Sequence, residues 1–145
     1  MQTFLLKIIH HVQTSGAYLP QVAQFADVAL LLMRLLVALI FLWSGASHLR
    51  DPKGRAKGLG MSAGFTAFIG AAEVAGALGI TFGVLTQYAA LGLVLIMLGA
   101  IWKKAFVWKT GFWGEKSSGW HYELMLVTML LVVACFDGGR WVLLP

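Results

Sequence analysis

Arg34, Glu73 and Glu123 stand inside otherwise apolar stretches of the chain, and Lys103 and Lys104 interrupt another near its end. A charge at the centre of an apolar membrane helix costs about 2.5–3.5 kcal/mol on insertion scales, so such groups turn toward a protein interior and pair there. Two kinds of chemistry follow from that placement. One is a ligand or proton site; the other is an ion pair that only fixes helix register. For Glu123, Lys103 and Lys104 a third reading applies, in which long side chains snorkel to the membrane surface.

Helical periodicity groups these residues. Arg34, Ala38, Phe41, Gly45 and His48 share one stripe, and Glu73 shares a face with Gly70, Gly76, Ala77 and Ile80. Gly92, Ile96, Gly99 and Lys103 line up on a third segment, and Glu123, Val127, Leu130 and Ala134 on a fourth. Small residues accompany the charges, as expected where helices approach closely; Gly45, Gly76, Gly79, Gly83, Gly92 and Gly99 are the expected packing positions. At a rise of ~1.5 Å per residue, Glu73 lies ~12 Å and Arg34 ~21 Å from one end, a ~9 Å offset that two extended side chains can bridge. His48, Lys103, His121 and Glu123 fall at that same end. The expectation is a polar cluster of Arg34, Glu73, Glu123, His48, Lys103 and His121, open at one side, with Arg34 as its floor.

Other chemistries lack their residues. A bis-histidine haem site can be drawn from His48 and His121, but interfacial histidine accounts for both, and no metal site is assigned. The chain contains no Ser-His-Asp arrangement, HExxH, P-loop or GxGxxG pattern, so no self-contained catalytic motif and no catalytic residue is identified. Cys135 is the only cysteine and sits in an apolar run, which fits a small apolar side chain in a helix.

The elements that position the charges are helices long enough to span a membrane. Four apolar stretches, about 27–48, 65–85, 88–108 and 120–137, approach the ~20 residues that the hydrocarbon core demands. None shows the period-2 alternation of barrel strands, so the expected fold is all-α: four transmembrane helices in an up-down-up-down bundle. Residues 50–64, rich in Gly with one Pro, and residues 109–119 read as polar loops, with a tight turn near Thr86-Gln87 between the middle helices. Residues 1–25 form an N-terminal tail or an interfacial amphipathic helix without signal-peptide character, and residues 26–145 form the transmembrane domain.

Composition agrees. Of 145 residues, 59% are hydrophobic and 12% charged, with a mean hydropathy of +0.81. Soluble domains are roughly a quarter charged, and disordered chains need low hydrophobicity, so both classes are excluded. The net charge of +5 does not indicate nucleic-acid binding. Eight of the eleven basic residues lie in two stretches, 50–57 and 103–116, the pattern of topology-setting loops. These loops are expected in the cytoplasm, with both termini outside. Trp102, Trp108, Trp113 and Trp120 flank the second loop as an interfacial belt.

An arginine early in the first helix, the run FLWSGASHL, the segment AAEVAGALGITFGVLTQYAAL, the following IMLGAIW, a glutamate early in the fourth helix and FDGGRWVLLP near the end together resemble the DoxX family. The resemblance covers about residues 27–141. It implies a small four-helix membrane protein, with Arg34, Gly45, Glu73, Gly76 and Glu123 at pattern positions. Members include subunits of a quinone-linked thiosulfate oxidoreductase, others tied to membrane redox and oxidative-stress complexes, and related eukaryotic membrane chaperones. Two positions depart from the pattern: His48 stands where Lys is usual, and Ser is missing after Gly-Gly-Arg.

Three functions compete. The first is an accessory or quinone-interacting subunit of a membrane oxidoreductase complex in the inner (plasma) membrane. Quinone would be its cofactor, none being built into the chain, and its partners membrane lipids, other redox proteins or further copies of itself. The second is a non-enzymatic scaffold or assembly factor. The third is a small-solute or proton pathway, which a narrow bundle without inverted repeats fits less well.

Overall fold

The computed structural model describes residues 20–114 and 119–143. A short turn of helix, α1 (Pro20–Ala23), precedes α2 (Ala26–Arg50), α3 (Pro52–Leu59), α4 (Ala63–Phe82), α5 (Thr86–Trp102), a π-helical segment (Lys103–Val107) and α6 (His121–Cys135). The described residues contain no β-strand. The amphipathic segment expected in the first 25 residues lies almost wholly outside the described residues. Three helices, Ala26–Arg50, Ala63–Phe82 and Thr86–Val107, are long and apolar enough to cross a membrane, and His121–Cys135 is a shorter apolar helix.

Local chemistry sets the helix ends, and it corrects two expectations. Residues 50–64 are not one loop, because α3 occupies their middle. Asp51 caps α3 by accepting a hydrogen bond from Gly54 N at 2.9 Å, Pro52 opens the first turn, and Gly60 closes it at φ +61°. Ser62 then caps α4 by accepting from Phe65 N at 3.2 Å. The turn between α4 and α5 lies at residues 83–85, not at Thr86-Gln87. Gly83 takes φ +66°, and Leu85 follows at φ +48°, so Thr86 already begins the next helix.

Packing is antiparallel between sequence neighbours. α2 packs most extensively on α4 and α5 on α6, α4 also contacts α5, and a thinner seam joins α2 to α6. Val37, Phe41, Ile80, Leu93 and Leu130 meet in the core, almost fully buried. Outside it, Leu39, Trp43, Phe68, Leu95 and Met125 are more than half exposed. A helical protein with this much outward apolar surface requires an apolar solvent, which a bilayer supplies.

The charged stripes on α2, α4 and α6 do face inward: Arg34, Glu73 and Glu123 are 1%, 2% and 8% exposed. The third stripe is rotated away. On α5 the buried face is Ala90, Leu93, Val94 and Met97, while a Cβ added at Gly92 or Gly99 would meet nothing within 4 Å. α5 is apolar all round and so carries no polarity contrast to mark its inner face, and the π-helical segment breaks the phase between Lys103 and the helix before it.

Candidate functional site

The close approach of α2 to α4 is made by two glycines. A Cβ on Gly45 would lie 2.6 Å from the Gly70 carbonyl oxygen, and one on Gly70 would lie 2.7 Å from His48 Cβ. Backbone therefore rests on backbone, the arrangement small residues permit between membrane helices. One turn beyond Gly45, His48 meets Glu73, with Nδ1 2.9 Å from Oε2 and side chains 14% and 3% exposed. Ser44 also stands beside the Glu73 carboxylate, and the Arg55 charge acts on it from farther off. The pair thus sits in the apolar seam, with its histidine edge toward the end of the bundle that carries α3.

Arg34 does not join this pair. Its guanidinium points to the opposite end and donates only to backbone carbonyls: Nε to Ile80 at 3.1 Å, one terminal nitrogen to Gly138 at 2.6 Å and Trp141 at 2.8 Å, the other to Thr81 at 3.3 Å. Ile80 and Thr81 lie in the last turn of α4, whose carbonyls have no following helical amide to accept from. Arg34 therefore caps α4, and its positive charge meets the negative end of that helix. With the same fork it ties down the segment after α6. The expected Arg34–Glu73 pair is absent because α2 and α4 are antiparallel: Arg34 lies level with residues 80–81, about two turns from Glu73.

Lys103, Lys104, His121 and Glu123 gather at the α3 end. Lys104 Nζ lies 2.8 Å from Glu123 Oε1, with side chains 13% and 10% exposed. Glu123 Oε2 is buried without a hydrogen-bond partner among the described residues. Lys103 turns the other way and donates to the carbonyls of Leu59 and Gly60, pinning the end of α3, with Trp108 lying 5.8 Å from its ammonium. Adjacent residues on a helix point roughly 100° apart, so the two lysines reach different partners. His121 Nδ1 lies 2.9 Å from the Phe112 carbonyl oxygen and its ring stands beside Trp113.

The expected single cluster is thus resolved into separate groups. His48 and Glu73 are brought together; Lys103, Glu123 and His121 share their end of the bundle but each has a different partner; Arg34 stands apart. His48 and His121 are engaged with different groups, and among the described residues no three His, Cys, Asp or Glu side chains converge. Gly70, Ser44 and Lys104 belong to the site but not to the residues expected for it. Gly70 and Ser44 carried a usable signal, standing one helical turn before Glu73 and His48 respectively. Gly76 packs on Leu93, Gly79 on Ala89 and Gly83 on Val142.

A family model for DoxX matches residues 29–106, more than half of the chain, from the second turn of α2 through the π-helical segment. Neither the curated proteins nor the solved structures provide a match.

Proposed function

The chain belongs to the DoxX family, and from that premise we propose that it is an accessory, quinone-interacting subunit of a membrane-associated oxidoreductase complex. In this reading α2, α4, α5 with its π-helical extension, and α6 all span the inner (plasma) membrane in an up-down-up-down arrangement. The basic segments around α3 and Lys103 lie in the cytoplasm and both termini outside, as the concentration of Lys and Arg at one end supports. α6, at 15 residues, spans with little tilt or with local thinning of the bilayer.

The observation that carries the proposal is the His48–Glu73 contact of 2.9 Å within an apolar helix seam. Quinone reduction takes up protons as well as electrons, and a carboxylate beside an imidazole holds and passes a proton where water is scarce. In this reading the electrons come from a partner protein and this chain contributes the proton route. Arg34 has no part in the transfer, because its donors are committed to backbone carbonyls.

The test is quinone reduction in native membranes carrying Glu73→Gln, with the quinone content of the mildly solubilised protein measured alongside. Glutamine still accepts from His48 but cannot carry the proton. A rate at least ~100-fold lower is expected, the low end of the usual scale for losing a proton-transfer group. An unchanged rate in Glu73→Gln together with no co-purifying quinone overturns the reading.

A second reading, the non-enzymatic scaffold, is favoured by a separate observation. Arg34 and the Lys104–Glu123 pair find partners within the chain. Crosslinking in membranes followed by mass spectrometry separates the two. A scaffold requires a reproducible partner whose capture survives Glu73→Gln, and no partner at all removes it.

A further inference from the structure

We propose that the outer face of α2 beneath α3 is a binding site for one anionic phospholipid from the leaflet at the basic end of the bundle. An open groove of about 480 Å³ lies there. Its lower wall is apolar, with Leu39 and Trp43 turned outward at 63% and 76% exposure. Its upper rim carries Arg50 and Arg55 with Asp51 between them in the chain. Leu39, Trp43 and Arg50 recur at helical spacing on one stripe of α2, opposite the stripe that buries Phe41 and Gly45.

The cationic rim is built rather than loose. Arg55 donates to the Ser47 hydroxyl, which draws α3 back over α2. Asp51 holds the start of α3 through its bond to Gly54 N, and Lys103 holds its end through the carbonyls of Leu59 and Gly60. Asp51 shares the rim with one carboxylate oxygen held by Gly54 N, and Glu73 pairs with His48 behind the helix, so the two arginines leave the rim net positive. The groove therefore presents two guanidiniums above an apolar slot.

That combination selects the occupant. A free phosphate would use the rim but not the slot, and a neutral lipid the slot but not the rim. A phospholipid with net negative charge uses both, its phosphate between Arg50 and Arg55 and an acyl chain along Leu39 and Trp43. Basic residues beside membrane helices favour acidic lipids through their field at the surface.

The test uses the full chain in mild detergent, titrated with phosphatidylglycerol or phosphatidylcholine carrying brominated acyl chains, which quench nearby tryptophan. Phosphatidylglycerol is expected to quench at lower concentration than phosphatidylcholine, and this preference disappears in Trp43→Phe. Arg50→Gln and Arg55→Gln each weaken the preference about fivefold, while Lys53→Gln/Lys57→Gln, which removes twice the charge from α3 outside the groove, leaves most of it. Circular dichroism and thermal melting show that each variant is folded. Equal quenching by the two lipids overturns the proposal, as does equal loss in the lysine pair, which would make the effect one of general charge. Displacement by millimolar inorganic phosphate also overturns it, since an anion site without the slot would suffice.

Discussion

Arg34→Met and Arg34→Lys test what the buried arginine does. Methionine removes the donors of four carbonyls, those of Ile80 and Thr81 on α4 and of Gly138 and Trp141 after α6. A buried acceptor left without a donor costs about 1–3 kcal/mol. The contacts to Trp141 and Thr81 are only part-buried, so the low end applies and the gross loss is about 4 kcal/mol. Relief from burying the guanidinium offsets part of this, leaving about 2–3 kcal/mol. At roughly 2–4 °C per kcal/mol for a chain of this size, melting in detergent micelles falls by about 5–10 °C. Lysine is the sharper probe. It keeps the charge, yet one ammonium on a flexible stem cannot serve carbonyls on two segments as a planar fork does. Arg34→Lys is therefore expected to melt as low as Arg34→Met, with faster hydrogen exchange at the Leu143 amide, which bonds to Phe82 O. If lysine restores the wild-type melting temperature, charge alone is required and the capping argument fails. If both variants melt like the parent while quinone reduction is lost, Arg34 works in the function and not in the fold.

Two further substitutions test the packing and the second ion pair. Gly45→Ala places a methyl 2.6 Å from the Gly70 carbonyl oxygen and should cost about 1–3 kcal/mol in detergent unfolding. Gly92→Ala, which meets nothing within 4 Å, should be neutral or stabilise by about 0.5–1 kcal/mol through helix propensity; equal effects at the two positions would refute the distinction. Lys104→Met leaves the buried Glu123 carboxylate without its 2.8 Å partner and should destabilise by about 3–5 kcal/mol. Adding Glu123→Gln should recover most of that in the same melting assay, and a double variant no better than the single would show that the two residues do not act as a pair.

Much of this architecture was legible in the sequence. The inward stripes of α2, α4 and α6 followed from a charge and small residues recurring at helical spacing, a contrast that survives without knowing any neighbour. α5 offered no such contrast, and its inner face was misplaced. The helix α3 was hidden by composition, because lysine and glycine dominate it and average to the polarity of a loop. Its Asp-Pro start and Gly60 stop were nevertheless present as local capping signals. The partners of the charges were less legible. Depth along a helix suggested that Arg34 could reach Glu73, but it could not say toward which end the guanidinium would turn, nor that four carbonyls awaited it there.

Hydropathy, helix periodicity and charge placement are properties of a single segment, and by themselves they determined an all-helical membrane chain whose buried charges are Arg34, Glu73 and Glu123. Which group each charge meets depends on the offset and rotation between helices. Those are set where Gly45 rests on Gly70, where Lys103 meets the end of α3 and Lys104 meets Glu123, and where the chain after α6 folds back to the end of α4. Contacts of that kind join residues far apart in the chain, so only the tertiary structure decided that Glu73 belongs to His48 and Arg34 to the backbone.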